Sequence, residues 1–292
     1  MTSVRFTKGH GTQNDFLLVP DLDGAQDLSV EDVRLLADRR AGLGADGVIR
    51  VVPTQHATEP GVRQQADRAT WFMDYRNADG SVAEMCGNGA RVFAAYLRRE
   101  GLEEGNEISI ATRAGVRSVL ITGEQYAVDL GPWRVVDAAG ARERGFGATV
   151  RARHSVELPA LGLDLGNPHA VVILPPDLDL AELDLTEAPA VSPHPAHGTN
   201  VEFVRAIAPG HIAMRVHERG VGETRSCGTG AAAAALATRW WEGETDDNTE
   251  WTVDVPGGRL TVRVLPDQHV ELAGPAVLVA DGTIELPRRA LA

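Results

Sequence analysis

Along the chain, short apolar runs alternate with polar turns, and at two places the alternation gives way to a longer helical period. The stretch "VRFTKGHGTQNDFLLVP" reads as strand, turn, strand. A helix is predicted from Ser29 to about Arg40, where a Ser-x-x-Asp start can cap its own N-terminus and Gly42 supplies the stop. Strand patterns return at "GVIRVV" and "TWFMDY". Between them the polar stretch Pro53 to Ala69 predicts a surface loop. After Cys86, "GARVFAAYLRREG" is apolar at Val92, Phe93, Ala95, Tyr96 and Leu97, with arginines in the last turn and Gly101 beyond, so a helix is predicted to begin at the cysteine. The runs "EISIATR", "RSVLIT" and "QYAVDL" predict three further strands.

The second half repeats this order. "ATVRARHSVEL" and "LGNPHAVVIL" lead through the Pro-rich "SPHPAHG" to the strand patterns "NVEFVRAI" and "IAMRVHERG", and then to Cys227 and the helical run behind it. In each half an asparagine, Asn14 or Asn167, precedes an apolar strand, and a Cys-Gly-x-Gly-Ala later opens a helix. Two ordered matches predict an internal duplication. The expected fold class is α/β (α+β): two pseudo-symmetric domains, each a mostly antiparallel sheet wrapped around a central helix. The boundary falls near Gly131–Pro132, giving halves 1–130 and 131–274, with closing strands about 275–292 free to join the first half.

Composition narrows the function. A 43% hydrophobic share and a 24% charged share describe an ordinary folded protein. A net charge of −13 disfavours nucleic acid and anionic membrane surfaces, so a small-molecule substrate is expected. No stretch approaches the roughly 20 apolar residues that span a bilayer, and the N-terminus has no apolar leader core, so the expected location is the cytoplasm. Lys8 is the only lysine and ends a strand-like run, which argues against pyridoxal phosphate, whose enzymes need a Schiff-base lysine.

The two cysteines, Cys86 and Cys227, both stand at predicted helix starts, followed by glycines. There the positive helix end and unpaired amides can lower a thiol from about 8.5 to between about 3.5 and 7.5, making it a base at neutral pH. Glycines beside it let a carboxylate approach the amides. If the halves pack face to face, the two sulfurs flank one carbon. A base on one face and an acid on the other is what inversion at an α-carbon requires, and it needs no cofactor.

Taken together, "HGTQNDF", "NADGSVAEMCGNGAR", "GNPHAVV", "NVEF" and "ERGVGETRSCGTGA" resemble the diaminopimelate epimerase family, in order, from about Val4 to Ala235. The resemblance implies a cofactor-independent isomerase that interconverts LL- and meso-diaminopimelate, with Cys86 and Cys227 as the catalytic pair. It also implies a cytoplasmic homodimer in lysine and peptidoglycan precursor synthesis. Carried over by motif, Asn14, Asn77, Asn167 and Asn200 hold the distal amino and carboxyl groups together with Arg219. Gly87, Asn88, Gly228 and Thr229 bind the reacting α-carboxylate through backbone amides, while His169 and Glu218 contact the α-amino group and tune the thiols. Where the family pattern carries glutamine after G-x-D, this chain has Gly47, so one distal polar contact is lost or met by water.

The residues alone leave other readings open. Buried cysteine is also a small hydrophobe, the pair could form a disulfide, and asparagine is a common turn residue. His169 could be an ordinary loop histidine, and Glu218–Arg219 an exposed ion pair worth under ~1 kcal/mol. Cys86, Cys227 and His169 could form a Cys₂His zinc site, although no C-x-x-C pair is present; the expectation is no metal. A proline racemase relative would show a Cys-Gly-His-like first motif and Asp-Arg before the second, whereas this chain has Asn88 and Glu218–Arg219. A non-catalytic amino-acid-binding protein would tolerate Cys→Ser changes.

Overall fold

The computed structural model describes residues 2–26, 28–243 and 249–286. The chain forms two compact units, one running to Val128 and including the residues from Pro275 onward, the other Asp129–Gly274.

The first unit opens with strands β1 (Thr2–Gly11) and β2 (Asn14–Pro20), helix α1 (Val30–Ala37) and strand β3 (Gly47–Pro53). A short helix α2 (Pro60–Arg63), strand β4 (Trp71–Asn77) and the long helix α3 (Gly87–Arg99) follow. Strands β5 (Glu107–Ala111), β6 (Arg117–Thr122) and β7 (Gln125–Pro132) complete the run, β7 carrying the chain across the unit boundary. In the second unit come β8 (Arg134–Val135), helix α4 (Ala138–Arg144), β9 (Ala148–Arg151), β10 (Leu158–Asp164), β11 (Pro168–Ile173) and β12 (Ala190–Ser192). They are followed by β13 (Asn200–Ala208), β14 (His211–Glu218), β15 (Gly222–Thr224) and the helix α5 (Gly228–Glu242). Strands β16 (Glu250–Val255), β17 (Gly258–Val264) and β18 (His269–Pro275) end this unit, and β19 (Val277–Leu286) returns to the first by pairing antiparallel with β1.

The two sheets have the same grammar. In the first unit β1–β2 is antiparallel, β2–β3 parallel, β3–β4 antiparallel, β4–β5 parallel, and β5–β6 and β6–β7 antiparallel. In the second, β10–β11, β11–β13, β13–β14, β14–β16, β16–β17 and β17–β18 run through the same sequence of antiparallel and parallel pairings. The second parallel crossover of each unit carries its central helix, α3 between β4 and β5, and α5 between β14 and β16. Each helix packs on most strands of its own sheet.

A helix enclosed on all sides is for the most part apolar or small all round. In α3 every residue from Gly87 to Leu97 is buried, and α5 buries the alanine run Ala231–Ala235. Small side chains along α5 let the strands close on its axis, α3 fills its sheet with larger side chains such as Arg91, Phe93 and Tyr96, and both helix starts lie in the buried part of their helix.

Three sequence expectations are adjusted. Pro53 to Ala69 is not a plain surface loop: it holds a 3₁₀ turn at Thr54–His56 and α2, and it lends Ala57, Val62 and Ala69 to a core with Val52, Phe72 and Ala111. Its apolar residues are single and separated by polar ones, which hides a buried face. Helix α1 keeps its Ser29–Asp32 capping box but ends at Ala37, because Asp38 Oδ1 accepts from the amides of Arg40 and Ala41 at 2.7 and 2.6 Å and turns the chain out of the helix. Helix α4 has no counterpart in the apolar pattern; it is set by Asp137, whose side chain accepts from the Gly140 amide, and it ends at the left-handed Gly145.

Candidate active site

Cys86 is the N-cap of α3, and its sulfur accepts from the amide of Gly89 at 3.4 Å. The thiol lies 3.8 Å from Asn14 Oδ1, and the same oxygen takes a 3.1 Å bond from Asn88 Nδ2. The other end of the Asn14 amide donates to Asp46 Oδ2 at 2.7 Å. Asn88 is itself fixed from behind: Arg91 Nη2 donates to its Oδ1 at 2.5 Å. Phe16 pairs with Gly47 and Gly47 with Asn77, so Asn14, Asp46, Gly47 and Asn77 cluster at one end of the first sheet. The Asn77 side chain is spent locally, with Nδ2 donating to Ser81 Oγ at 3.0 Å.

Cys227 is the N-cap of α5 in the same manner, with the Gly230 amide 3.3 Å from its sulfur. A continuous line of polar contacts leads away from it. Cys227 Sγ is 3.6 Å from Thr229 Oγ1, which accepts from Asn167 Nδ2 at 3.3 Å. Asn167 Oδ1 is 3.0 Å from His169 Nε2, and His169 Nδ1 is 2.7 Å from Glu202 Oε1. Register explains the convergence. His169 on β11 pairs with Asn200 on β13, and Glu202 lies two residues further along β13, on the same face as Asn200. Asn200 Oδ1 accepts from the backbone amide of Arg219 at 2.9 Å, at the end of β14. Glu218 takes a hydrogen bond from Thr224 Oγ1 across the β14–β15 turn, and the Arg219 guanidinium reaches the carbonyl of His197 at 3.3 Å.

The predicted residues therefore gather in two groups. Asn14, Cys86, Gly87 and Asn88 surround the start of α3, with Asn77 one strand further off; Asn167, His169, Asn200, Glu218, Arg219, Cys227, Gly228 and Thr229 surround the start of α5. In each group the first-turn amides of a helix, Gly87 in one and Gly228 and Thr229 in the other, have no intrahelical acceptor, which is the setting that binds a carboxylate.

The expectation of a lowered thiol fails at Cys227. Burial pushes this thiol well above its usual range, and the charges of Glu218 and Glu202 push it further; the hydrogen bonds from Thr229 and Gly230 recover only part. Burial and the two carboxylates thus favour the protonated thiol at Cys227. Burial likewise raises the Glu202 carboxyl, against the pull of His169. Both cysteines are free thiols, and among the described residues no group of three or more His, Cys, Asp or Glu stands where it could hold a metal. Lys8 donates to Gly44 O at 2.6 Å and pairs with Asp15 at 3.1 Å.

Sequence reading passed over Glu202 and Arg91, although both lie inside quoted stretches, "NVEF" and "CGNGAR". The available signal was a charged residue at a position where strand or helix period demands an apolar one. Both side chains have no solvent exposure. Gly230 also carries more than conformational freedom: a Cβ there would lie 2.8 Å from Glu202 Oε1 and 3.2 Å from Cys227 Sγ, so only glycine lets the carboxylate and the sulfur share that corner.

A duplicated sheet, each copy wound around one helix, is the fold this chain shares with solved structures of phenazine-biosynthesis proteins and of amino-acid epimerases. A Bacillus anthracis phenazine biosynthesis protein of the PhzF family superposes with a TM-score of 0.69 at 18% identity, covering 98% of this chain and 100% of that one. A hydroxyproline epimerase from Agrobacterium vitis gives a TM-score of 0.66 at 14% identity, over 97% of this chain and 92% of its own. Within that fold the family is specific. The family model for diaminopimelate epimerase matches residues 6–136 and 163–279. The diaminopimelate epimerase of Streptomyces coelicolor is 49% identical over 97% of this chain and 96% of its own length, and that of Thermobifida fusca is 48% identical over 97% and 98%. The chain belongs to the diaminopimelate epimerase family.

Proposed function

We propose that this protein is an isomerase that interconverts LL- and meso-diaminopimelate without a cofactor, using Cys86 and Cys227 as the acid/base pair. In one direction a thiolate takes the α-proton, the C–H electron pair delocalises into the α-carboxylate, and the opposite thiol returns its proton to the other face of the carbon. No electrons are gained or lost, and the two sulfurs exchange protonation states. The observation that carries this reading is the matched placement of the two cysteines, Cys86 capping the start of α3 and Cys227 capping the start of α5 in the same N-cap geometry. Aligned amides at both helix starts would stabilise the carboxylate as charge builds on it, the kind of preorganised electrostatics that dominates many enzymatic rate enhancements.

In this reading Gly87, Asn88, Gly228 and Thr229 hold the reacting carboxylate; His169 and Glu218 meet the α-amino group; and Asn14, Asn77, Asn167, Asn200 and Arg219 hold the distal end. The two units correspond to the two halves of a duplicated domain, about 1–130 with the closing strand, and 131–274, a division supported by their identical order of strand pairings. Family membership further suggests a cytoplasmic homodimer acting in lysine and peptidoglycan precursor synthesis; among the described residues no helix is long and apolar enough to cross a membrane. The test is to incubate the purified protein with LL-diaminopimelate and no added cofactor. Accumulation of the meso isomer to a mixture of both forms is expected, and unchanged LL substrate would overturn the assignment.

A further inference from the structure

The amide of Asn14 lies between the Cys86 sulfur and the Asp46 carboxylate, and its neighbours decide which end faces which. An amide is nearly symmetric in shape, but its oxygen only accepts and its nitrogen only donates. Asp46 Oδ2 takes a 2.7 Å bond from Asn14 Nδ2, and since a carboxylate can only accept, the nitrogen must face it. On the other side Asn88 Nδ2 donates to Asn14 Oδ1 at 3.1 Å. Asn88 is in turn held with its own oxygen toward Arg91 Nη2, a group that can only donate, at 2.5 Å. A buried guanidinium at one end and a carboxylate at the other therefore give this chain of two amides a single direction.

The consequence falls on Cys86. Its sulfur lies 3.8 Å from Asn14 Oδ1, so the group presented to it is an acceptor and the S–H donates. A thiolate has no proton to give, and a hydrogen bond made only by the neutral form of an acid opposes its ionisation. Groups of the opposite sense also reach this sulfur: the Gly89 amide at 3.4 Å, the positive end of α3, and the charge of Arg91. From β2 and the turn before β3, Asp15 and Asp46 bring negative charge that Lys8 and Arg39 offset, and Glu84 on the loop before Cys86 is exposed. Asn14 is thus the neutral counterweight to a helix end that favours the thiolate.

Asp46 keeps that oxygen in place. Its Oδ2 also accepts from the Asp15 amide at 3.1 Å, and its Oδ1 from Arg39 Nη2 at 2.7 Å. Without the carboxylate both groups left on that side are donors, which call for the oxygen of Asn14 rather than its nitrogen. We propose that Asp46 is a positioning residue: it fixes the Asn14 amide with its oxygen toward Cys86, and through that oxygen it opposes loss of the Cys86 proton. The thiolate is the nucleophilic form, so the same bond shields a partly exposed cysteine from alkylation and oxidation. The inference rests on the two-cysteine reading above for its bearing on catalysis, but its test does not need turnover.

The measurement is made in Cys227→Ala chains, where Cys86 is the one cysteine left. Thiolate absorbance in the ultraviolet gives the titration midpoint, the infrared S–H stretch reports the bond, and circular dichroism reports the fold. Asn14→Ala is expected to lower the Cys86 midpoint by about 0.5 to 1 on the pH scale, the size of one net hydrogen bond, and to move the S–H band to higher frequency. Asp46→Ala is expected to lower the midpoint too, and to add nothing once Asn14 is replaced, because it acts through that residue. Asp46→Asn removes the charge but keeps an oxygen for the Asn14 nitrogen, so it should leave midpoint and band at their parental values. The proposal is overturned by an unchanged or raised midpoint in folded Asn14→Ala or Asp46→Ala, by equal lowering in Asp46→Asn and Asp46→Ala, or by an Asp46→Ala effect that persists without Asn14. Should Asp46→Ala not fold, Asp46→Asn decides it: a parental midpoint beside a lowered one in Asn14→Ala supports the proposal, and a midpoint as low as that of Asn14→Ala ends it. A protein that titrates as expected yet leaves LL-diaminopimelate unchanged would refute the assigned reaction and leave the role of Asp46 standing.

Discussion

Glu202 holds His169 by a 2.7 Å contact between Oε1 and Nδ1, with both side chains closed off from solvent, and its second oxygen, Oε2, has no hydrogen-bond partner. A carboxylate this poorly satisfied is retained at a cost of the order of 1–3 kcal/mol for a buried unpaired polar atom. What it does at this corner is keep negative charge near Cys227. Glu202→Gln keeps the shape and removes that charge. In a Cys86→Ala chain, thiolate absorbance near 240 nm should therefore rise at lower pH in the Gln variant than in its parent; an unchanged or later rise would show that Glu202 does not tune this thiol.

Acid stability should depend on Asp74. Burial pushes its carboxyl up, but the hydrogen bond from Arg113 and the charges of Arg113, Arg76 and Arg50 outweigh burial and hold it below the usual carboxylate range. A carboxyl whose folded value is depressed adds stability that is fully present above the unfolded value, about 3.9, and is lost as pH falls through it toward the folded value. Asp74→Ala leaves Arg50 and Arg113 without their shared carboxylate, and should cost about 3–5 kcal/mol at pH 7. Urea unfolding at pH 7 and again near pH 3 checks both statements: the gap between parent and variant must narrow at the lower pH.

Gly47 has a steric reason to be glycine. A Cβ there would meet the Tyr75 ring at 2.5 Å and the Arg76 carbonyl at 2.7 Å, and that ring is packed edge-on against Phe16 with centroids 5.7 Å apart. Gly47→Gln, restoring the family's more familiar residue, should destabilise by about 1–3 kcal/mol through overpacking, read as a lower denaturation midpoint. Equal or greater stability would mean that Tyr75 moves aside freely.

Selectivity follows from the proposed distal contacts. Lysine lacks the second carboxylate and would leave polar groups unpaired, a mismatch that can cost on the order of 10⁴ in discrimination. Racemisation of L-lysine within tenfold of the diaminopimelate rate would remove Asn14, Asn77, Asn167, Asn200 and Arg219 from that role.

Much of this architecture was legible in the chain because its signals are local. The Cys-Gly-x-Gly-Ala starts mark Cys86 and Cys227 as N-caps, and the asparagines precede strands whose register brings Asn200 beside His169. The thiol at Cys227 was misread for the opposite reason. A helix end is visible in sequence, whereas the burial and the approach of the two carboxylates, one from β13 and one from the end of β14, are made only by folding. Arg91 and Glu202 escaped in the same way: each interrupts an apolar pattern, and only tertiary packing shows that neither reaches water. Helix α4 and the buried face of Pro53 to Ala69 carry too few apolar residues to declare themselves.

The central claim is that two thiols, one on each face, carry the proton, and the most direct measurement is epimerisation in D₂O by the parent and by Cys86→Ala and Cys227→Ala, with circular dichroism confirming that each is folded. The parent should convert LL- to meso-diaminopimelate with deuterium at the inverted α-carbon. Since a positioned acid or base contributes about 10² to 10⁴ in rate and inversion needs both, each variant should lose epimerisation at or beyond the upper end of that range. Cys227→Ala should still exchange the α-hydrogen of the one stereoisomer that faces Cys86. Near-parental epimerisation by either folded variant, or a meso product free of α-deuterium, would contradict the account.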